Sequence, residues 1–230
     1  MQNKSTDDGE PIVSEALNRN PQWKNMLVVE DVTGSMLPYV ADLLVWNALG
    51  VNAKKVRHVV LFNDVDGKKT SDKVVGKTGG IYHVNSGKIE DLEETMIRAM
   101  AAGNGGDTPE NDIEAIIEGL KACPTCEEVI FIADNNATPR DLELIDQIKK
   151  PVRVVLCGVT YAPNPAHPYI AWKTKGSLHT IDRDINELAS LQKGEVIRIM
   201  DTPFQIKNGF VARIPDFSGQ SLSRLRVRGL

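Results

Sequence analysis

The sequence predicts a three-layer α/β fold. A mostly parallel, Rossmann-like central sheet carries helices on both faces, and a β-hairpin is appended at the C-terminus. Three observations point to it. Apolar runs of strand length alternate with segments of helical periodicity from Met26 to Met200, the rhythm of a parallel sheet with crossover helices. The runs are continuously apolar rather than alternating, as in strands buried on both faces. Near the end, Phe204–Lys207 and Phe210–Ile214 flank Asn208-Gly209, a pair that accepts the positive φ angles of a type I′ hairpin turn.

Composition sets the outer bounds. The chain has 230 residues, 41% of them hydrophobic and 25% charged, an ordinary globular balance that fits one α/β domain with some additional structure. A net charge of −4 argues against nucleic acid as a partner, because phosphate binding needs a concentrated basic face. No apolar run approaches the roughly 20 residues of a membrane span. Residues 1–10 are polar and lack a signal-peptide core. They fit a cytoplasmic start or an exported, periplasmic chain whose leader has been removed, with a slight lean to the second.

Residues 1–22 read as a flexible N-terminal arm with a short helix at Val13–Asn18, residues 23–201 as the α/β domain, and residues 202–230 as a hairpin and tail packed on or beside it. Met26–Glu30 is the first strand. Leu37–Leu49 is a helix, with Pro38 in its first turn and Gly50 as its stop. Val56–Phe62 is the second strand, Asn63–Gly67 a turn, and Gly79–Val84 a short strand at the sheet edge. Ile89, Leu92, Met96, Ile97 and Met100 recur at helical spacing over Ile89–Ala102. A Gly-rich loop follows, Gly103–Glu110, in which Thr108 reads as an N-cap and Pro109 as the first helical residue. The helix runs through Ile113, Ile116, Ile117 and Leu120. Val129–Ala133 is a buried strand ending in Asp134. Thr138-Pro139 opens a helix with Leu142, Ile145 and Ile148 inward. Val152–Cys157 is a further strand, Asp184–Leu191 a helix, and Val196–Met200 the last strand of the alternating series. In the tail, Arg224, Arg226 and Arg228 alternate as on a solvated edge strand.

The chemistry gathers at strand ends. Leu27-Val28-Val29-Glu30-Asp31-Val32-Thr33-Gly34-Ser35 is an apolar run that stops at an acid and continues with a hydroxyl at each second position. Two distant segments add oxygen donors, Asp107-Thr108 and Asp134. Open α/β sheets bind ligands at the carboxyl ends of their strands, and oxygen donors of this kind suit Mg²⁺, with Mn²⁺ and Ca²⁺ as alternatives. The bland alternative is that these residues only cap helices and form turns.

With those residues in place, the chain resembles a von Willebrand factor type A domain, the family of integrin I-domains and of many bacterial proteins. That family's metal-ion-dependent adhesion site combines an Asp-x-Ser-x-Ser loop after the first strand, a threonine from a second loop and an aspartate after a later strand. Asp31, Thr33 and Ser35 match the first loop, with threonine at its first serine. Thr108 in Gly-Gly-Asp-Thr-Pro-Glu matches the second and Asp134 the third. The resemblance covers Met26 to Met200. It implies that the hydroxyls of Thr33 and Ser35 ligate the ion, that Asp31, Thr108 and Asp134 act directly or through water, and that an open coordination position takes an Asp or Glu carboxylate from a protein partner. The implied role is adhesion-type binding, not catalysis. Asp107 is expected to support the ligands from behind, and Asn136 to act as a cap or extra ligand where many members have glycine.

Two other readings compete. A metal-assisted phosphohydrolase of the haloacid dehalogenase type also places an aspartate after its first strand, but needs a second acid where Thr33 stands. A structural scaffold with a degenerate metal site is the other. Cys123-Pro124-Thr125-Cys126 reads as a local disulfide or two reduced thiols, since no second such pair exists to complete a zinc site. Cys157 reads as buried. Trp23, Trp46 and Trp172 read as packing residues, and His83 as structural or solvent-facing.

Overall fold

A computed structural model describes residues 10–49, 52, 54–64, 68–84, 88–103 and 108–215, and the backbone of 227–228. Its central sheet has seven strands: β1 (Met26–Asp31), β2 (Val56–Phe62), β3 (Ile81–Val84), β4 (Glu128–Asp134), β5 (Val152–Cys157), β6 (Ser177–His179) and β7 (Asp184–Ile185). Their order is β3-β2-β1-β4-β5-β6-β7. The inner five strands are parallel, and β3 and β7 close the edges antiparallel. This is the predicted Rossmann-like sandwich. The chain leaves β1 toward β2 on one side and returns to β4 on the other, so the order reverses between β1 and β4, where such sheets open a crevice for ligands.

The continuous apolar runs are explained by two cores. Successive residues of a strand point to opposite faces, and Leu27 and Val29 join one core while Met26 and Val28 join the other. On the second face lie α1 (Ile12–Arg19), α2 (Leu37–Ala48) and α3 (Ile89–Ala102); on the first lie α4 (Asp112–Ala122) and α5 (Ala166–Lys173). Each fully buried Leu, Ile, Val or Phe contributes roughly 1.5–3 kcal/mol of transfer free energy.

Several expectations are corrected. Residues 10–22, expected within a flexible arm, are docked. Ile12, Val13, Ala16 and Leu17 are buried, Ser14 N–H donates to Asp42 at 2.9 Å, and Trp46 Nε1 donates to Asn18 at 3.0 Å. The helix expected after Thr138-Pro139 is only a 3₁₀ segment, Leu142–Gln147. Asp184–Leu191, expected helical, is the short strand β7 and a 3₁₀ turn, Glu187–Ser190. The loop at 104–107, the turn at 65–67, Gly50 and the arginine-bearing tail at 216–226 lie outside the described residues.

The C-terminal strands form a second sheet: β8 (Val196–Ile199), β9 (Thr202–Lys207), β10 (Phe210–Arg213) and β11 (Val227–Arg228), in the order β10-β9-β8-β11. Val196–Met200 was expected in the main series; β8 pairs instead with β9. The hairpin is as predicted, with Asn208 at φ 52° and Gly209 at φ 79°, both positive as a type I′ turn requires. The sheet shares the first core through Ile197, Phe204 and Val211, and Phe210 stacks on Tyr169 with ring centroids 4.9 Å apart. Gly176 sits where β6 approaches β5; a Cβ there would overlap the Val152 carbonyl, so this glycine is structural.

Candidate metal centre

The first loop is shaped by its own acid. Asp31 is the last residue of β1, and its Oδ1 accepts from Thr33 N–H at 2.7 Å. This turns the chain sharply into the 3₁₀ segment Gly34–Met36, and Met36 N–H closes onto Thr33 C=O at 3.0 Å. Thr33 Oγ1 and Ser35 Oγ are thereby brought to 3.2 Å. The threonine methyl is accommodated, since Thr33 is buried.

The loop after β4 meets the first directly. The Ser35 hydroxyl donates to Asp134 Oδ2. Asn136 holds the same carboxylate with its backbone N–H to Oδ1 at 2.7 Å and its side-chain amide to Oδ2 at 3.1 Å. It therefore orients Asp134 rather than standing beside it.

The segment before α4 supplies the third wall. Thr108 does not cap the helix: α4 begins at Asp112, with Asn111 preceding it. The cap comes from a distant residue, Asp141, whose carboxylate accepts from Ile113 N–H at 3.2 Å and Glu114 N–H at 2.6 Å. Arg140 N–H donates to Glu110 C=O at 2.9 Å and the Arg140 guanidinium to Pro109 C=O. Asn111 Nδ2 donates to Gly79 C=O at 3.0 Å. So clamped, Glu110 turns its carboxyl toward Asp31 and Asp134. One ligand atom from each of the three residues lies within 4.8 Å of the others. Thr108, Glu110 and Asp134, with Asp112 and His167 behind them, line a cavity of about 10 Å³, room for one water-sized occupant.

Of the predicted residues, Asp31, Thr33, Ser35 and Asp134 are joined by hydrogen bonds, and Thr108 lies on the rim of the cavity. Asp107 is outside the described residues. Sequence reasoning missed Glu110, although it stands two residues beyond Thr108 in the string that identified the second loop. It also missed Asp112 and His167, which carry no recognisable spacing.

The electrostatics show what the cluster lacks. Among the described residues, Asp31, Glu110, Asp112 and Asp134 have no ion pair. Burial, reinforced by the charge of Asp31, pushes the Glu110 carboxyl up to about 12. Burial also pushes Asp31 up to about 6, held back by the Glu110 carboxyl beside it. The two thus share a proton near neutrality. Asp112 is raised well above the usual range by burial and the charge of Asp141, and Glu30 by burial and the charge of Asp31. Burial presses His167 down to about 4. Asp31 Oδ2, Asp112 Oδ1, both Glu30 oxygens and both His167 nitrogens lack a hydrogen bond of good geometry. A buried polar atom without a partner costs about 1–3 kcal/mol, more when charged. Three converging carboxylates and two hydroxyls are the donor set of a hard divalent cation, so the cluster Asp31, Glu110 and Asp134 can hold a metal ion.

Comparison with protein-family models, with curated proteins and with solved structures finds no match. The site is therefore read from its own geometry. Two further features lie away from it. Cys123 and Cys126 form a disulfide at the turn between α4 and β4, the opposite end of the sheet, and Cys157 is a buried free thiol. No helix among the described residues is long and apolar enough to cross a membrane.

Proposed function

We propose that this chain is a metal-dependent protein-binding module of the von Willebrand factor type A kind, which engages an Asp or Glu carboxylate of a protein partner through a bound divalent cation, Mg²⁺ or alternatively Mn²⁺ or Ca²⁺. One observation carries the reading: the Asp31-Thr33-Ser35 loop, Asp134 and the Thr108–Glu110 segment converge where the strand order reverses. The bound cation supplies positive charge and an open coordination position for the incoming carboxylate. Thr33 and Ser35 offer neutral hydroxyl donors, which leave that charge largely unquenched. Ser35 and Thr108 are exposed and form the side from which a partner approaches.

Glu110 favours a second reading. A third carboxylate beside Asp31 and Asp134 lowers the appetite of the ion for a fourth, and suits a cation that rivets three loops of a structural scaffold. A peptide array bearing paired Asp/Asn and Glu/Gln variants, probed in Mg²⁺ and in chelator, tests the two. The binding module predicts capture of the acidic member only, in Mg²⁺ only, and loss of capture in Asp31→Ala. No capture by a protein whose melting temperature rises with Mg²⁺ rejects the module and leaves the rivet.

A further inference from the structure

We propose that His58, His83 and Glu118 form a second metal site, remote from the acidic one, for a borderline transition-metal cation such as Zn²⁺, Cu²⁺ or Ni²⁺. His58 lies early in β2 and His83 in the antiparallel edge strand β3. Val60 pairs with His83; residues 58 and 60 share a sheet face, so the two histidines are diagonal neighbours on it. The last two turns of α4 pack beside them and contribute Glu118, Lys121 and Ala122. These five residues line an open groove of about 450 Å³. His58 precedes the carboxyl end of β2 by four residues, about 13 Å of strand, so the groove is separate from the Asp31 cluster.

The pair brings two imidazole nitrogens within reach of one ion. His58 Nε2 and His83 Nδ1 face each other at 2.9 Å, and the ring centroids are 5.2 Å apart with planes inclined at 42°. One ring nitrogen donates and the other accepts, so a lone pair is aimed at a point the two rings share. A tetrahedral ion with bonds of about 2.0–2.1 Å holds two imidazole nitrogens about 3.3 Å apart and their ring centres about 5 Å apart. In the structure the two rings point head-on at each other; chelation would part the nitrogens by about 0.4 Å and tilt each ring by about 35° toward the ion. His58 is buried and fixed in the sheet, which lowers the entropy of assembling the site.

Glu118, on the wall of the same groove, lies outside ligand distance of the pair and would swing in as the third ligand. It pairs with Lys121 at 2.7 Å, the two side chains being 40% and 66% exposed. A surface pair of this kind is worth about 0–1 kcal/mol, so the carboxylate can turn to the ion at little cost. Two imidazoles and one carboxylate suit Zn²⁺, Cu²⁺ or Ni²⁺ over Mg²⁺ or Ca²⁺. The bound ion would pin the edge strand β3 to helix α4, with its remaining position open to water.

The test is titration of the untagged, metal-stripped full chain with Co²⁺ and Zn²⁺, following cobalt absorption and competition with a chromogenic chelator. In Asp31→Ala, which lacks the acidic site, the expected result is one Co²⁺ with a tetrahedral spectrum, displaced by Zn²⁺; wild type should add a second Co²⁺ without that spectrum. His83→Asn should weaken Zn²⁺ by about tenfold or more, and Glu118→Gln by about threefold to tenfold. Both variants should keep the wild-type circular dichroism and the wild-type response to Mg²⁺, and Asp31→Ala should keep the Zn²⁺ site. Undiminished Zn²⁺ binding in both histidine-groove variants, or its loss in Asp31→Ala, overturns the proposal. Since Asp31→Ala separates the two sites, failure here leaves the binding-module reading standing, and the reverse.

Discussion

Asp64 and Asp31 both lie at the end of a strand of the central sheet, and neither side chain meets solvent, yet the protein treats them in opposite ways. Asp64 is given its counter-charges by the chain. Lys73 pairs with it at 2.5 Å and Arg140 at 2.8 Å, with Lys73 1% and Arg140 12% exposed. Asp31 is given further acids: Glu110, Asp134 and, behind them, Asp112. A buried carboxylate left uncompensated is among the costliest features a fold can hold. Where the chain had a structural use for the acid, it placed cations. Where it did not, the missing positive charge must come from protons or from outside. The contrast is the physical ground for the cation proposed at Asp31, and the two regions are close, because Arg140 also holds Pro109 and Glu110 in place.

The contrast can be broken at four points. The largest effect belongs to the paired region. Arg140→Met leaves Asp64 half-compensated and frees Pro109, and should cost about 3–5 kcal/mol in urea unfolding. Asp31→Asn in metal-free protein removes a charge that has no counter-charge among the described residues, and should change stability by about 1 kcal/mol or less, in either direction. Equal losses in the two variants would mean that Asp31 has a counter-charge within the chain after all. Next in size, Mg²⁺ or Mn²⁺ at about 100 times its dissociation constant should stabilise the wild type by about 2.7 kcal/mol, read as a rise in melting temperature, and should leave Asp31→Asn unmoved.

The third prediction concerns protons. The folded values of Asp31 and Glu110 are raised above their unfolded ones. Their contribution to the stability of the metal-free protein is complete below about pH 4 and is lost as pH rises, Asp31's share being gone by about pH 6. A cation must displace the proton the pair shares. Its apparent affinity should therefore rise with pH, by about tenfold per unit near neutrality, with about one proton released on binding. Calorimetric titration in two buffers of different ionisation enthalpy measures that proton, and a flat pH profile would mean the pair is already ionised. The smallest effect is at Asn136. Replacing it by Ala removes the amide donor to Asp134 but keeps the backbone one, and should weaken cation binding by about tenfold or less.

The strands and the hairpin were legible in the sequence because burial on two faces and positive φ leave local marks: Met26–Asp31 is apolar to its last residues, and Asn208-Gly209 accepts a conformation that most pairs resist. The first loop was legible for a similar reason, since Asp31, Thr33 and Ser35 are spaced by one residue and meet through bonds within a single turn. Other features left no local mark. Val196–Ile199 reads as a buried strand wherever it goes, and only its pairing with Thr202–Lys207 decides which sheet takes it. Residues 138–148 and 184–191 have apolar positions at helical spacing, but over so few turns that the loops they join overrule the propensity. Residues 10–22 are polar enough to read as an arm, yet four apolar side chains on one face of α1 suffice to dock it.

By itself, the sequence determined the α/β class, the parallel core and four of the residues that meet at the centre, because each follows from neighbours a few positions apart. Tertiary structure decided that Glu110 joins Asp31 and Asp134, that Asp141 rather than Thr108 caps α4, and that His58 faces His83. Each of these is a contact between distant segments, fixed by strand register and helix docking. Charge balance was decided there as well. Whether a buried acid meets an arginine or another acid depends on what the fold carries to it, and that is why Asp64 lies against Lys73 and Arg140 while Asp31 lies against Glu110 and Asp134.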